Sequence, residues 1–258
     1  AILINYWGFC SNFNAGALCF LWKIYFFLIY LASMIKCVTE NLSSSGIYCA
    51  SFVRLGERKY IQAGTLVDHL LTAVKTWSLG SLEDLVMECR QMLFSHAKYV
   101  LLTADDSKPD DFHRLSCLFK ITCSKKKKYQ VAVIADNSTI VPPAVAFNEG
   151  ELLLGSCINT VNRAIVLREW ICDDQRSILP LLIAMNKYLL QTLLPTTKYT
   201  AWVFCGVNLK WNKITAAINP TIMVKLEKVL GHIAACSSIF IDDDYIGRIT
   251  FSRQVISS

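Results

Sequence analysis

Residues Ala15 to Ile35 form an apolar run of 21 residues broken only by Lys23, Tyr25, Tyr30 and Ser33. No other feature constrains this chain so strongly, because such a run is long enough to cross a bilayer and too apolar for a solvated surface. A lysine near the middle of a span costs about 2.5–3.5 kcal/mol on insertion scales, which the surrounding Leu, Ile and Phe offset. A cleaved signal peptide fits less well, since a basic n-region is missing and the apolar stretch is too long. Residues 1–39 hold no Asp or Glu, and the first methionine is Met34. The segment therefore reads either as a membrane anchor or as upstream sequence translated in frame, with residues 1–33 non-native. On the anchor reading Lys36, Arg54, Arg58 and Lys59 follow the span and nothing basic precedes it, which puts the body on the cytoplasmic side.

The expected division is thus an apolar N-terminal segment, 1–39, and a single mixed α/β domain, 40–258. With 258 residues, 53% hydrophobic and 18% charged, the chain is neither disordered nor collagen-like, and it can bury a substantial core. The net charge of +6 resolves into Lys23 and Lys36 plus the four lysines Lys125–Lys128; the remaining 20 basic and 20 acidic residues balance. The body is a neutral, apolar-rich domain with one lysine cluster. The 11 cysteines are scattered and form no C-x-x-C pair, and several sit in apolar runs, which favours a reducing intracellular compartment, cytoplasm or nucleus, over a disulfide framework.

Apolar periodicity predicts a helix over Ala63–Trp77 and a second from Ser81 through His96, an αα-hairpin broken at Gly80. Lys98–Thr103 reads as a buried strand, and 112–119 as one or two helical turns. Strands at Tyr129–Ala135 and Glu151–Leu154, with turn signals between, suggest an antiparallel meander across 118–155. Helices are expected over 159–170, 177–194 and 220–237, with Pro180 in the first turn of the second, where proline is tolerated. Tyr199–Val207 reads as a strand, and 238–251 as a closing β-hairpin. The expected fold class is α+β (or α/β): an αα-hairpin, a central antiparallel β-meander, further helices and a C-terminal β-hairpin. No internal repeat is visible.

The motifs that would name an activity are missing: no phosphate-binding glycine loop, no G-x-S-x-G and no H-E-x-x-H. Four weaker constellations remain. Asp105 and Asp106, with Asp110 and Asp111, and Asp242, Asp243 and Asp244 follow expected strands; carboxylates there can hold a divalent ion, or simply cap solvated turns. His113, Cys117 and Cys123, with Cys89 and His96 upstream, supply zinc-type ligands at a spacing that matches no common finger. Cys205 ends a strand and would be a nucleophile only if His69 or His232 served it as base. Lys125, Lys126, Lys127 and Lys128 can meet phosphates, lipid heads or an acidic partner, or form a solvated hairpin tip.

Val131–Ile134, Pro143–Phe147 and Gly150–Gly155 resemble the strands near the start of an Hsp70-type nucleotide-binding domain. The glycine–threonine phosphate loop of that family has no counterpart here, where Cys123-Ser124 and the four lysines stand, so the resemblance transfers no nucleotide-binding residue. From the residues, the expected function is a non-enzymatic protein-interaction or scaffold domain of an intracellular complex with a protein partner, tethered to a membrane if 15–35 is native. The alternatives are a nucleic-acid-associated protein using Lys125–Lys128 and a small divalent-metal enzyme using loops 105–111 and 242–244. No cofactor is expected.

Overall fold

The computed structural model describes residues 46–56, 58–102, 112–136, 142–168, 170, 178–197, 200–215, 217, 219–231 and 233–255. They lie in a compact unit that runs from Ser45 to Ser258. The apolar run 15–35 and the loop 105–111 fall outside the described residues. Among the described residues no helix is long and apolar enough to cross a membrane.

The first part of this unit comprises β1 (Ile47–Ala50), β2 (Arg54–Leu55), α1 (Ala63–Thr76), β3 (Leu82–Cys89), β4 (Ala97–Leu102), β5 (Leu115–Cys123) and β6 (Lys127–Ala135). The second comprises β7 (Ala144–Val145), β8 (Ser156–Asn159), β9 (Ala164–Leu167), α2 (Ile178–Leu193), β10 (Thr200–Lys210), the short α3 (Trp211–Thr215), β11 (Ile222–Leu230), β12 (Ala234–Ile241) and β13 (Asp244–Val255). Eleven strands make one sheet in the order β1-β4-β6-β5-β3-β10-β13-β12-β11-β9-β8, and every pairing in it is antiparallel. β2 and β7 form a separate parallel pair.

This order exposes a repeat that the sequence hides. Apart from the short β2 and α3, each half runs strand, long helix, then four strands: β1, α1, β3–β6, and β9, α2, β10–β13, with the two inner strands exchanged in sheet order, β6-β5 against β12-β13. The strand that follows each helix, β3 or β10, is the one that joins the halves, through Gly206↔Glu88 to Lys210↔Asp84. A Cβ on Gly206 would lie 2.5 Å from the Met87 carbonyl oxygen, so only glycine permits this close approach at the seam.

The α+β expectation is therefore corrected: the unit is mostly one large antiparallel sheet with two long helices. The helices expected over 81–96 and 220–237 are strands, and β-bulges explain the misreading. In β3 the register shifts between Leu82 and Asp84, so Leu82 and Leu85, three apart, are both buried. In β11 it shifts between Leu226 and Lys228, so the buried Leu226 and the core-packed Val229 are again three apart. One extra residue moves the period-two pattern onto helical spacing. The helix expected over 159–170 is the β8–β9 hairpin. Its turn is closed by an Asn159 side chain that accepts from the Asn162 N–H at 3.0 Å, with Arg163 at φ 54°. Residues 112–114 make one helical turn before β5, and Glu149–Leu153 is a helical turn rather than a strand. The stretch resembling an Hsp70 meander is thus split among β6, β7 and that turn.

The helices expected over 63–77 and 177–194 form as α1 and α2. The first buries Leu66, Val67, Leu70, Ala73 and Val74, one stripe of an amphipathic helix. The second is buried on nearly every side, from Ile178 through Asn186 and again at Leu189 and Leu190, with Pro180 half-buried in its first turn. A helix apolar all round belongs inside. Both helices share one hydrophobic core with the facing sheet residues Leu85, Tyr99, Phe119, Val133, Leu209, Val224, Ile239, Ile249 and Phe251.

Candidate functional site

Where the start of α1 meets α2, Gly64 lies so close to Pro180 that an added Cβ would stand 2.5 Å from its Cγ. Beneath this contact and beside the seam is a cavity of about 140 Å³. Its apolar wall comes from buried Ile61, Leu66, Leu93, Ile183, Trp202 and Phe251. Its polar rim comes from Arg58, Gln62, Arg90, Glu149 and Lys187. A second, more open groove of about 660 Å³ shares Arg58, Gln62, Phe147, Glu149 and Lys187, so those residues stand between the two spaces.

Local structure explains how each wall residue arrives. In β10 the pairing with β13 shifts between Phe204 and Gly206, leaving Cys205 as the extra residue of a bulge. The bulge breaks alternation, and Trp202, Val203, Phe204 and Cys205 all line the cavity. Trp202 is held by its indole N–H on the Leu194 carbonyl at 3.2 Å and by the Arg253 guanidinium 4.9 Å above its ring. Gln62, buried at the N-cap of α1, makes no side-chain cap; its amide donates to the Leu55 carbonyl at 3.0 Å. The first-turn N–H groups of Ala63 and Gly64, both lining residues, therefore have no intrahelical acceptor and give this edge a partial positive charge.

Glu149 is the one carboxylate among the described lining residues. The Arg58 guanidinium donates to its Oε1, and the Lys187 ammonium to its Oε2 at 2.9 Å. Burial pushes the Glu149 carboxyl up, but the Lys187 hydrogen bond and the Arg58 and Lys187 charges outweigh it and hold the group below its ordinary value. Glu149 is thus ionised at neutral pH, fixed between two cations at the cavity rim. Sequence reasoning placed it in a turn and missed it. Its partners lie 91 and 38 residues away along the chain, and no local pattern marks such a cluster.

Of the described residues singled out from sequence, Cys89 and Cys205 line the cavity and the others lie elsewhere. Lys125–Lys128 are exposed at the β5–β6 hairpin tip, with Lys125 and Lys126 at φ 64° and 56°. Asp242 and Asp243 make the exposed β12–β13 turn, where Asp242 accepts from the Thr221 N–H at 2.8 Å; Asp244 lies 3.6 Å from Lys213. Asp105 and Asp106 lie outside the described residues. Among the described residues no group of three or more His, Cys, Asp or Glu could hold a metal ion. Of the zinc-type set, Cys117 faces Cys89 across β3 and β5, Cys123 faces Leu82, and His113 is exposed. His96 accepts from the Phe52 N–H at 3.0 Å. Burial, with Cys89 alongside, pushes the Cys117 thiol well up, so it stays protonated and unreactive. Cys205 does line the cavity, but its thiol donates to the Ser252 hydroxyl at 3.0 Å, and no histidine is among the described lining residues. His69 instead meets the Tyr48 hydroxyl, and His232 lies outside the described residues. A Cys–His pair is not assembled there.

No protein-family model and no curated protein sequence matches the chain. Solved structures do resemble it. The tesB protein of Mycobacterium avium subsp. paratuberculosis is 9% identical, with 88% of this chain and 100% of that one covered at a TM-score of 0.45. An acyl-ACP thioesterase from Bacteroides thetaiotaomicron is 12% identical, with 81% and 98% covered at 0.42. The pyran synthase domain from module nine of the sorangicin pathway is 8% identical, with 84% and 96% covered at 0.42. The expectation of a non-enzymatic interaction or scaffold domain gives way to the apolar cavity and its fixed carboxylate, and it is not carried further.

Proposed function

We propose that this chain is a hydrolase of acyl thioesters, or of carbonyl compounds of the same class, and that the seam cavity is its active site. One observation carries the reading: an apolar cavity ends at a fixed carboxylate, Glu149, beside the uncapped first turn of α1. Small-molecule sites are mostly apolar with a few placed polar groups, and this cavity has that division of labour. The acyl chain occupies the wall of Leu66, Ile183, Trp202 and Phe251. The carbonyl oxygen faces the free N–H groups of Ala63 and Gly64, which stabilise negative charge as it develops. Glu149 takes a proton from water as the water oxygen bonds to the carbonyl carbon. The carbon–sulfur bond then breaks, and the departing thiolate takes that proton back. Arg58 and Lys187 keep Glu149 ionised and in place.

The test is thiol release from a panel of acyl thioesters, acetyl to dodecanoyl, read with a thiol-reactive dye. Glu149→Gln is expected to lower turnover by about 100-fold or more, while an acyl ligand still raises the melting temperature of the variant. Absence of thiol release across the panel, or a full rate in Glu149→Gln, refutes the assignment.

A further inference from the structure

Resting on the active-site reading above, we infer that the cavity selects short acyl chains. Its volume is about 140 Å³, and an apolar cavity of roughly 150 Å³ in another protein holds one benzene ring, so this one accommodates about six carbons. The wall is not free to yield. Trp202 is pinned on both sides by its bond to Leu194 and by Arg253, whose Nη2 also donates to the Leu194 and Pro195 carbonyls at 3.2 and 3.3 Å. Phe251, opposite Phe204 across β10 and β13, is buried and meets its ring edge-on at 5.8 Å. Ile183 comes from α2, whose start is locked against α1 by the Gly64–Pro180 contact. A chain longer than the cavity must therefore displace packed core or leave part of itself in water.

The experiment titrates the full chain with butanoate, hexanoate, octanoate and dodecanoate, reading the fluorescence of its tryptophans and the melting temperature. Affinity should rise about fourfold for each added CH₂ up to hexanoate, the equivalent of about 0.8 kcal/mol, and then level off or fall. Ile183→Ala should move the break to octanoate. Ile183→Val, which removes a single methyl and folds if the alanine variant does not, should raise the affinity for octanoate relative to hexanoate above the ratio in the unmutated protein. A constant gain per CH₂ through dodecanoate in the unmutated protein overturns the length limit and leaves the cavity as the binding site. Absence of binding by every carboxylate overturns the limit and the active-site reading together.

Discussion

Acidification should weaken this fold before its carboxylates begin to titrate, and His69 is the reason. This side chain projects from α1 among aromatic rings: its imidazole meets Phe52 edge-on at 4.9 Å, and its Nδ1 lies 3.2 Å from the Tyr48 hydroxyl. Burial pushes its pKa from 6.5 down to about 4, and the nearby His96 adds to the shift. His96, lowered in the same direction by its own burial, is partly offset by Asp136. A histidine held neutral in the folded state contributes its full stability above its unfolded pKa. That stability falls as pH drops through 6.5 towards 4 and is constant below. One pKa unit is about 1.4 kcal/mol, so moving from pH 7.5 to pH 5 should cost about 2 kcal/mol from His69 alone. Glu149 works in the same direction at lower pH: its depressed pKa supplies stability that is present above its unfolded value of 4.5 and is lost below that, so pH 5 largely avoids it. The assay is urea unfolding at both pH values, with the free energy extrapolated to water. His69→Gln should start less stable but lose most of the difference between the two pH values, leaving only the smaller share of His96. Equal stability of the unmutated protein at pH 5 and pH 7.5, or an undiminished loss in His69→Gln, refutes the reasoning.

Two further outcomes test the packing that builds the cavity. Gly64→Ala raises helix propensity by about 1 kcal/mol, yet the clash with the Pro180 ring should outweigh it and lower stability by about 1–3 kcal/mol; an increase in melting temperature would show that the helices part without cost. Gly206→Ala should drive β3 from β10, because its Cβ would meet the Met87 carbonyl; hydrogen exchange should accelerate at the seam from Leu85 to Glu88, and unchanged protection there would contradict the close approach.

The parts of this structure legible in the sequence are those whose pattern is local and unbroken. α1 shows one apolar stripe and α2 an apolar surface all round, and both form where spacing places them. β4, β6, β10 and the β12–β13 hairpin also follow their runs of β-branched and aromatic residues. What misled were β3 and β11, where a single bulged residue turns strand alternation into helical spacing, and the β8–β9 hairpin, whose Asn159 turn lacks a glycine. The four lysines stood out in sequence because they are consecutive. Glu149 did not, because its meaning comes from Arg58 and Lys187.

The sequence by itself therefore determined a neutral, apolar-rich body, two long helices, reduced-looking cysteines and the absence of standard phosphate and nucleophile motifs. Tertiary structure alone decided that the two helices share one sheet, that β3 and β10 close the seam, and that Glu149 meets two cations at the rim of a small apolar cavity. The physical reason is one of range. Helix and strand propensities are properties of neighbours along the chain, whereas a cavity and an ion cluster arise from residues brought together only when the sheet pairs and the helices pack.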